Sequence, residues 1–295
     1  MSAAASAPSV HPLRPIGRHD SSRLLAFVGA HAVPGVEAWD GTTWTSSARF
    51  AGGPAVLQVS VSARPGFDVR LWLTEPDDEP AALKALAALL DLDRDVAPAE
   101  LRLAADPVLG PLIARRPGLR VPGELDPFET LVRTIIGQQI SLAGARTVTA
   151  RLVQAVGPPL PTALVVDPAV THRFPSAATL AALDPDDAAL AVPRSRARAV
   201  VAAATAFADL APGDAVPTRA ELLVLPGIGP WTADYLDLRA RRDPDVLMAG
   251  DLAVRKVLGR PGAPASVADV VAAGLSWRPF RSTALMHLWA EYLQL

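Results

Sequence analysis

Residues 221–236 read Glu-Leu-Leu-Val-Leu-Pro-Gly-Ile-Gly-Pro-Trp-Thr-Ala-Asp-Tyr-Leu, and residues 248–256 read Met-Ala-Gly-Asp-Leu-Ala-Val-Arg-Lys. The apolar helical run Leu222–Leu225 meets Pro226, which has no backbone N–H and disfavours helix in the residue before it. Gly227 and Gly229 then permit a tight turn, with positive φ and no β-carbon in the way. Pro230 suits the first position of a second helix, which carries Trp231, Tyr235 and Leu238. A helix, a Gly-x-Gly hairpin and a second helix leave backbone N–H groups exposed at a helix start. That arrangement binds phosphate without a basic side chain.

A lone Gly-x-Gly is a weak signal. Leu-Pro-Gly-Ile-Gly-Pro-Trp-Thr-Ala followed by Gly250-Asp251, twenty residues after Trp231, is specific. The stretch resembles the helix-hairpin-helix superfamily of DNA glycosylases, whose signature pairs such a hairpin with a later Gly/Pro-Asp element. Trp277-Arg278-Pro279-Phe280-Arg281-Ser282 through His287-Leu288-Trp289 resembles the C-terminal helix of the alkylpurine branch, the 3-methyladenine DNA glycosylase II family. Asp-x-x-x-Leu-Leu-x-Phe from Asp20 and Ala-Val-Pro-Gly-Val-Glu from Ala32 extend the likeness towards the N-terminus.

The rest of the chain divides by pattern. Residues 1–18 read as a disordered lead-in, since the opening Ser/Ala/Pro stretch has neither a basic start nor an apolar core for a signal peptide. Residues 19–100 read as a small α+β domain. It opens with a helix over Ser21–Val33, capped by Ser21 or Ser22, with Leu24, Leu25, Phe27 and Val28 on its apolar face. Antiparallel strands follow at Thr42–Phe50, Ala55–Ser62 and Phe67–Leu73, and an Ala/Leu-rich helix at Glu79–Leu90 covers the sheet. His31 and Trp39 read as packing or loop residues. Residues 101–295 read as a mostly α-helical glycosylase domain with the hairpin at 221–240. Its elements include Pro107–Arg115, a turn-rich link from Arg116, and a helix from Asp126 to Ile140 with Asp126 as N-cap and Pro127 first. Further helices are expected at Leu142–Val156, Pro175–Leu183, Pro185–Ala191, Ser195–Leu210, Leu252–Leu258, Val267–Leu275 and Arg281–Tyr292. The expected fold class is therefore α+β: an N-terminal antiparallel sheet with helices, then the helical domain.

Composition narrows the chemistry. With no cysteine, the chain has no disulfide, thiolate nucleophile or Cys-ligated iron–sulfur cluster, and fits the reducing cytoplasm where it is expected. No uninterrupted apolar run of about 18 residues suggests a membrane span. The net charge is −2, and residues beyond 100 carry 20 basic against 18 acidic groups, so no polybasic stripe is present. DNA binding would then rest on backbone amides and a few arginines. Arg194, Arg196 and Arg198 either face phosphates or form a solvated helix start.

The resemblance implies roles residue by residue. Asp251 falls on the catalytic carboxylate, which stabilises the oxocarbenium-like sugar and orients a water; taken alone, it reads equally as a helix N-cap. Trp231, Tyr235 and Trp289 fall on the aromatic positions of the base pocket, whose faces favour a cationic alkylated base; taken alone, they read as core. Gln139 falls on the residue that wedges into the gap left by the flipped base, where the family's best-known member has leucine; the alternative is that Gln138 and Gln139 simply cap a helix end. Gly227, Ile228, Gly229 and Thr232 fall on the DNA-backbone contact, and Lys256, one helical turn beyond Asp251, reads as a phosphate or surface contact. The backbone carbonyls of Leu223, Leu225 and Gly227 fall where a sodium or potassium ion would sit. Lyase-type relatives place a Schiff-base lysine where this chain has Trp231, and its two lysines are Lys84 and Lys256. The expectation is a monofunctional, monomeric enzyme acting on double-stranded DNA with alkylated bases, requiring no cofactor and leaving an abasic site. A glycosylase for deaminated or oxidised bases and a non-catalytic DNA-structure binder are the alternatives.

Overall fold

The computed structural model describes residues 7–210 and 216–294. Its N-terminal part is a five-stranded antiparallel sheet among the described residues: β1 (Ser9–Leu13), β2 (Glu37–Trp39), β3 (Thr43–Phe50), β4 (Gly53–Val61) and β5 (Phe67–Leu73), in the order β1-β5-β4-β3-β2. The β3–β4 hairpin closes through the Phe50↔Gly53 pair, and Gly53 takes φ +136°, a conformation open to glycine. One face is covered by α1 (Ser21–Ala30) and α2 (Glu79–Leu89), burying Leu24, Leu25 and Val28 with Trp44, Leu57, Phe67, Leu71 and Leu86.

Three expectations change here. The lead-in is partly ordered: residues 9–13 pair with β5 from Ser9↔Leu71 to Leu13↔Phe67, at a sheet edge where Pro12 needs no ladder N–H. Residues 1–6 lie outside the described residues. The first helix is capped by Asp20, which accepts from the Arg23 N–H at 3.0 Å, rather than by a serine. It ends at Ala30, three residues before Val33, whose N–H turns to the Glu37 carboxylate at 2.9 Å. β2, three residues long, is too short to show alternation; its Trp39 ring lies so close to Gly29 that a β-carbon there would sit 2.3 Å from it.

The remaining elements are helical: α3 (Ala97–Leu103), α4 (Leu109–Arg115), α5 (Pro127–Gly137), α6 (Leu142–Val156), α7 (Ala177–Ala181), α8 (Arg194–Phe207), α9 (Arg219–Leu223), α10 (Pro230–Arg239), α11 (Leu252–Leu258), α12 (Val267–Gly274) and α13 (Arg281–Leu293). Asp126 caps α5 by accepting from the Phe128 and Glu129 N–H groups, with Pro127 at the first position. Two helical cores result. One joins α5, α7, α8 and α10 through Leu131, Ile135, Leu180, Val200, Ala203 and Leu236. The other joins α4, α11, α12 and α13 through Leu109, Val254, Val270 and Leu288.

Several ties join sheet and helices, three of them as follows. The proline-rich segment 158–175 packs Leu160, Leu164 and Val170 against Val56 and Trp72 on the second sheet face. Arg120, 1% exposed, sends its guanidinium to the carbonyls of Ile16 (2.6 Å), Asp91 (3.1 Å), Arg18 and Arg94. Arg133 of α5 bonds both Glu37 and Glu129 at 3.0 Å and the His31 carbonyl at 2.5 Å. Among the described residues no helix is long and apolar enough to cross a membrane.

Candidate active site

The hairpin begins with α9, held by a capping box between Thr218 and Glu221. Gly227 takes φ +77°, and a β-carbon there would come 2.7 Å from that of Ala199 on α8, so both turn and packing require glycine. Gly229 differs from expectation. It is the extended N-cap of α10 (φ −98°, ψ 176°), with open space around the missing β-carbon, so it supplies access rather than a turn. The first-turn N–H groups of α10 lack intrahelical acceptors, as at every helix start. Thr232 is 3% exposed, its hydroxyl turned to the Gln138 amide, which also donates to the Gly227 carbonyl at 3.2 Å. Its side chain therefore braces the hairpin against α5 and is withdrawn from the surface. Ile228 is likewise buried, in the helical core. The Leu225 carbonyl accepts from the Ile228 N–H at 3.3 Å, so the Leu225 and Gly227 carbonyls each keep one lone pair free.

Asp251 is the N-cap of α11, its Oδ1 accepting from the Val254 N–H at 3.0 Å. The cap is half of its environment. Oδ1 also accepts from the Trp289 indole N–H at 3.1 Å, and Oδ2 from the Trp231 indole N–H at 2.9 Å. Three N–H donors from three elements therefore hold the carboxylate in one orientation. Trp231 stacks on Tyr235 (centroids 5.2 Å apart, planes 8° from parallel), and Tyr235 meets Trp289 at 6.3 Å and 48°. A cavity of about 260 Å³ opens on this group, bordered by Asp251, Trp231, Tyr235 and Trp289 together with Phe27 and His31 of α1 and its C-cap. The residues expected to form a pocket are thus brought together, although residues 231 and 289 are far apart in the chain.

Phe27 and His31 escaped the sequence reading as site residues. A signal was present, because they are one helical turn apart on the face that begins with Leu24. Arg239 was missed as well: its guanidinium donates to the Tyr235 hydroxyl at 2.7 Å and the Gly123 carbonyl at 2.8 Å, and lies over the Phe27 and Tyr235 rings. It fixes the tyrosine ring against rotation.

A larger cleft shares Phe27, His31, Trp231 and Tyr235 with this cavity and runs past Gln138 and Gln139 to Glu124 and Arg239. Gln139 is exposed between α5 and α6 at φ +60°, an unfavourable conformation for a non-glycine residue, with Ile140 and Leu142 partly exposed beside it. Lys256 lies on the exposed side of α11 and donates to the Tyr292 hydroxyl at 3.2 Å. Lys84 is in α2, under the sheet. Arg194 pairs with Asp186 at 2.6 Å, and Arg198 is exposed. No cluster of His, Asp or Glu able to hold a metal occurs among the described residues.

The Glu124 carboxyl is closed off from solvent without a hydrogen bond of normal geometry. Burial raises its pKa to about 7 against the weaker opposing pull of the Arg239 guanidinium and the Thr130 hydroxyl. Between the ordinary carboxyl value and about 7 the folded protein holds a proton that the unfolded chain has released. Stability from this group is therefore full at low pH and falls as pH rises through that window. Glu124→Gln is expected to flatten the fall, stabilising the protein at pH 8 relative to pH 5 by on the order of 2–3 kcal/mol. Thermal melts of both proteins across pH 4–8 check this.

Both parts of the chain resemble known proteins. Residues 16–126 match the AlkA N-terminal domain and residues 132–271 the HhH-GPD superfamily base excision DNA repair protein model. The chain is 36% identical over 273 residues to a probable bifunctional transcriptional activator/DNA repair enzyme AlkA of Mycobacterium tuberculosis. That match covers 90% of this chain and 53% of the relative, so the chain spans about half of the mycobacterial protein. It is 34% identical over 282 residues to DNA-3-methyladenine glycosylase 2 of Escherichia coli, covering 92% of this chain and 93% of the other. Among solved structures, a 3-methyladenine DNA-glycosylase from Archaeoglobus fulgidus superposes with a TM-score of 0.77, covering 97% and 98% of the two chains; at 20% identity the likeness is one of fold.

Proposed function

We propose a reaction for a chain that belongs to the HhH-GPD superfamily of base excision DNA repair proteins: hydrolytic removal of alkylated purines, of the 3-methyladenine and 7-methylguanine type, from double-stranded DNA. The observation that supports it most is a carboxylate oriented by three N–H donors at the wall of an aromatic cavity.

The α9–α10 hairpin grips a phosphate through the free N–H groups at the start of α10, with Gly229 leaving room for close approach. Backbone carbonyls of Leu223, Leu225 and Gly227 are hard oxygen donors suited to a sodium or potassium ion, which would add positive charge beside that phosphate. Gln139 enters the stack and fills the space of the extruded nucleotide, its amide pairing with the orphaned base. The flipped purine lodges against Trp231, Tyr235 and Trp289, where cation–π attraction of roughly 0.5–2 kcal/mol favours an alkylated, positively charged ring.

Bond breaking then needs little help from an acid. As the C1′–N bond lengthens, its electron pair passes to the base and cancels the ring's charge, so the base leaves neutral. Positive charge appears on the sugar, and Asp251 stabilises it. Water adds at C1′ and loses its proton to the carboxylate or to solvent. No lysine borders the cavity, so no Schiff base forms and the DNA strand stays intact.

Duplex DNA treated with a methylating agent tests this reading. Released bases are separated and identified, and the DNA is run before and after alkali. Release of methylated purines with breaks only after alkali supports the monofunctional reading, whereas breaks without alkali overturn the absence of lyase chemistry. Binding without release from methylated, deaminated or oxidised DNA leaves a non-catalytic DNA binder.

A further inference from the structure

His31 sits at the C-terminal end of α1, in the wall shared by the small cavity and the larger cleft. Its Nδ1 lies 2.7 Å from the Phe27 carbonyl oxygen. A carbonyl can only accept, so Nδ1 carries the proton, and in the neutral ring Nε2 is left as an acceptor. Among the described residues nothing bonds to Nε2, and it is not one of the polar atoms sealed away from solvent. Burial, and the nearby Arg239, Arg133 and Arg146 guanidiniums, hold the ring's pKa down at about 4, so it is uncharged at neutral pH.

The ring is also held in place. It packs on Phe27 at 4.4 Å between centroids. Arg133 donates to the His31 carbonyl at 2.5 Å and Arg146 to the Ala32 carbonyl at 2.6 Å, so two helices of the helical half clamp the turn that carries it. The aromatic faces of the cavity bind any flat ring and distinguish bases poorly. A fixed, unpaired acceptor at its edge is a different kind of contact, because it rewards an N–H donor, and a bound ring that offers none shuts water away from its lone pair without replacing it.

We propose that His31 Nε2 accepts a hydrogen bond from the exocyclic amino group of the base lodged in the cavity, making His31 a specificity-determining residue for amino-bearing purines. The inference rests on the base-excision reading above and deepens it. Neither the hairpin nor Asp251 supplies this selection.

The test measures binding of free bases by quenching of the cavity tryptophans, which needs no turnover. The probes are 3-methyladenine and 3-methylpurine, which differ only in the 6-amino group. Wild type is expected to bind 3-methyladenine about fivefold more tightly, as one neutral hydrogen bond provides. His31→Phe keeps a ring against Phe27 but has no acceptor, and should bind the two bases alike. His31→Gln restores an acceptor and should recover the preference. Comparing two bases within one variant cancels any loss of stability. A His31→Phe variant with the wild-type preference, or a wild type with none, overturns the proposal. A wild type that shows the preference yet releases no base from methylated DNA upholds the subsite and overturns the hydrolase reading instead.

Discussion

Asp251→Asn is expected to lower the rate of base release by about 10²–10³-fold while leaving the fold nearly as stable as before. Asparagine caps helices as well as aspartate does, so α11 keeps its Val254 N–H bond. The negative charge facing the sugar is lost, and removal of one preorganised electrostatic group of this kind costs that order of rate. The exchange also sets an amide N–H₂ against an indole N–H group. With the asparagine oxygen kept on the side that serves Val254 and Trp289, its nitrogen faces the indole N–H donor of Trp231. Single-turnover release of base from alkylated duplex DNA measures the loss, and a thermal melt separates it from instability. Asp251→Ala should add a stability deficit of about 1 kcal/mol, because the cap itself is removed. A variant that releases base at the wild-type rate would reduce Asp251 to its capping role.

Arg120→Met is expected to destabilise the protein by about 3–5 kcal/mol. The methionine fits the volume but donates nothing. The carbonyls of Ile16, Arg18, Asp91 and Arg94 converge on one buried guanidinium and would be left without it. Those four residues belong to the segments before α1 and after α2, and Arg120 lies in the link before α5, so the clasp fastens the sheet to the helices. Arg120 also borders the small cavity, as do Phe27 and His31. Loosening the clasp should therefore weaken base binding as well as stability. Chemical denaturation of wild type and variant checks the first effect and free-base quenching the second. A change below 1 kcal/mol would mean that water replaces the guanidinium without cost.

Local chemistry was legible wherever one short stretch carried the whole cause. The Pro226–Pro230 hairpin, the Asp126-Pro127 helix start, the Leu142–Val156 and Leu252–Leu258 helices, and Asp251 at an N-cap all depend on residues within a turn or two of each other. The three longer strands alternate strongly enough to be found. β2 and β1 were not, since three residues hold no pattern and an edge strand containing proline looks like coil until β5 lies beside it. Gly227 and Gly229 looked equivalent in the sequence. Only the packing of α8 against the hairpin distinguishes a glycine forced by φ and by Ala199 from one surrounded by open space.

The sequence by itself therefore determined three of the five described strands and most of the helices, the hairpin, the absence of thiol chemistry and a carboxylate at a helix start; the helix expected at Pro185–Ala191 is only a 3₁₀ turn at Ala188–Leu190. The tertiary structure decided what surrounds that carboxylate. Two indole N–H groups from α10 and α13 converge on Asp251, and Phe27 and His31 arrive from the sheet side because Arg133 and Arg146 hold their turn. It also withdrew Thr232 into a brace with Gln138 and turned Arg120 from a loop residue into a clasp. The reason is range: helix caps and turns are bonds between near neighbours, whereas a pocket wall is assembled from segments that only the folded core brings within contact of one another.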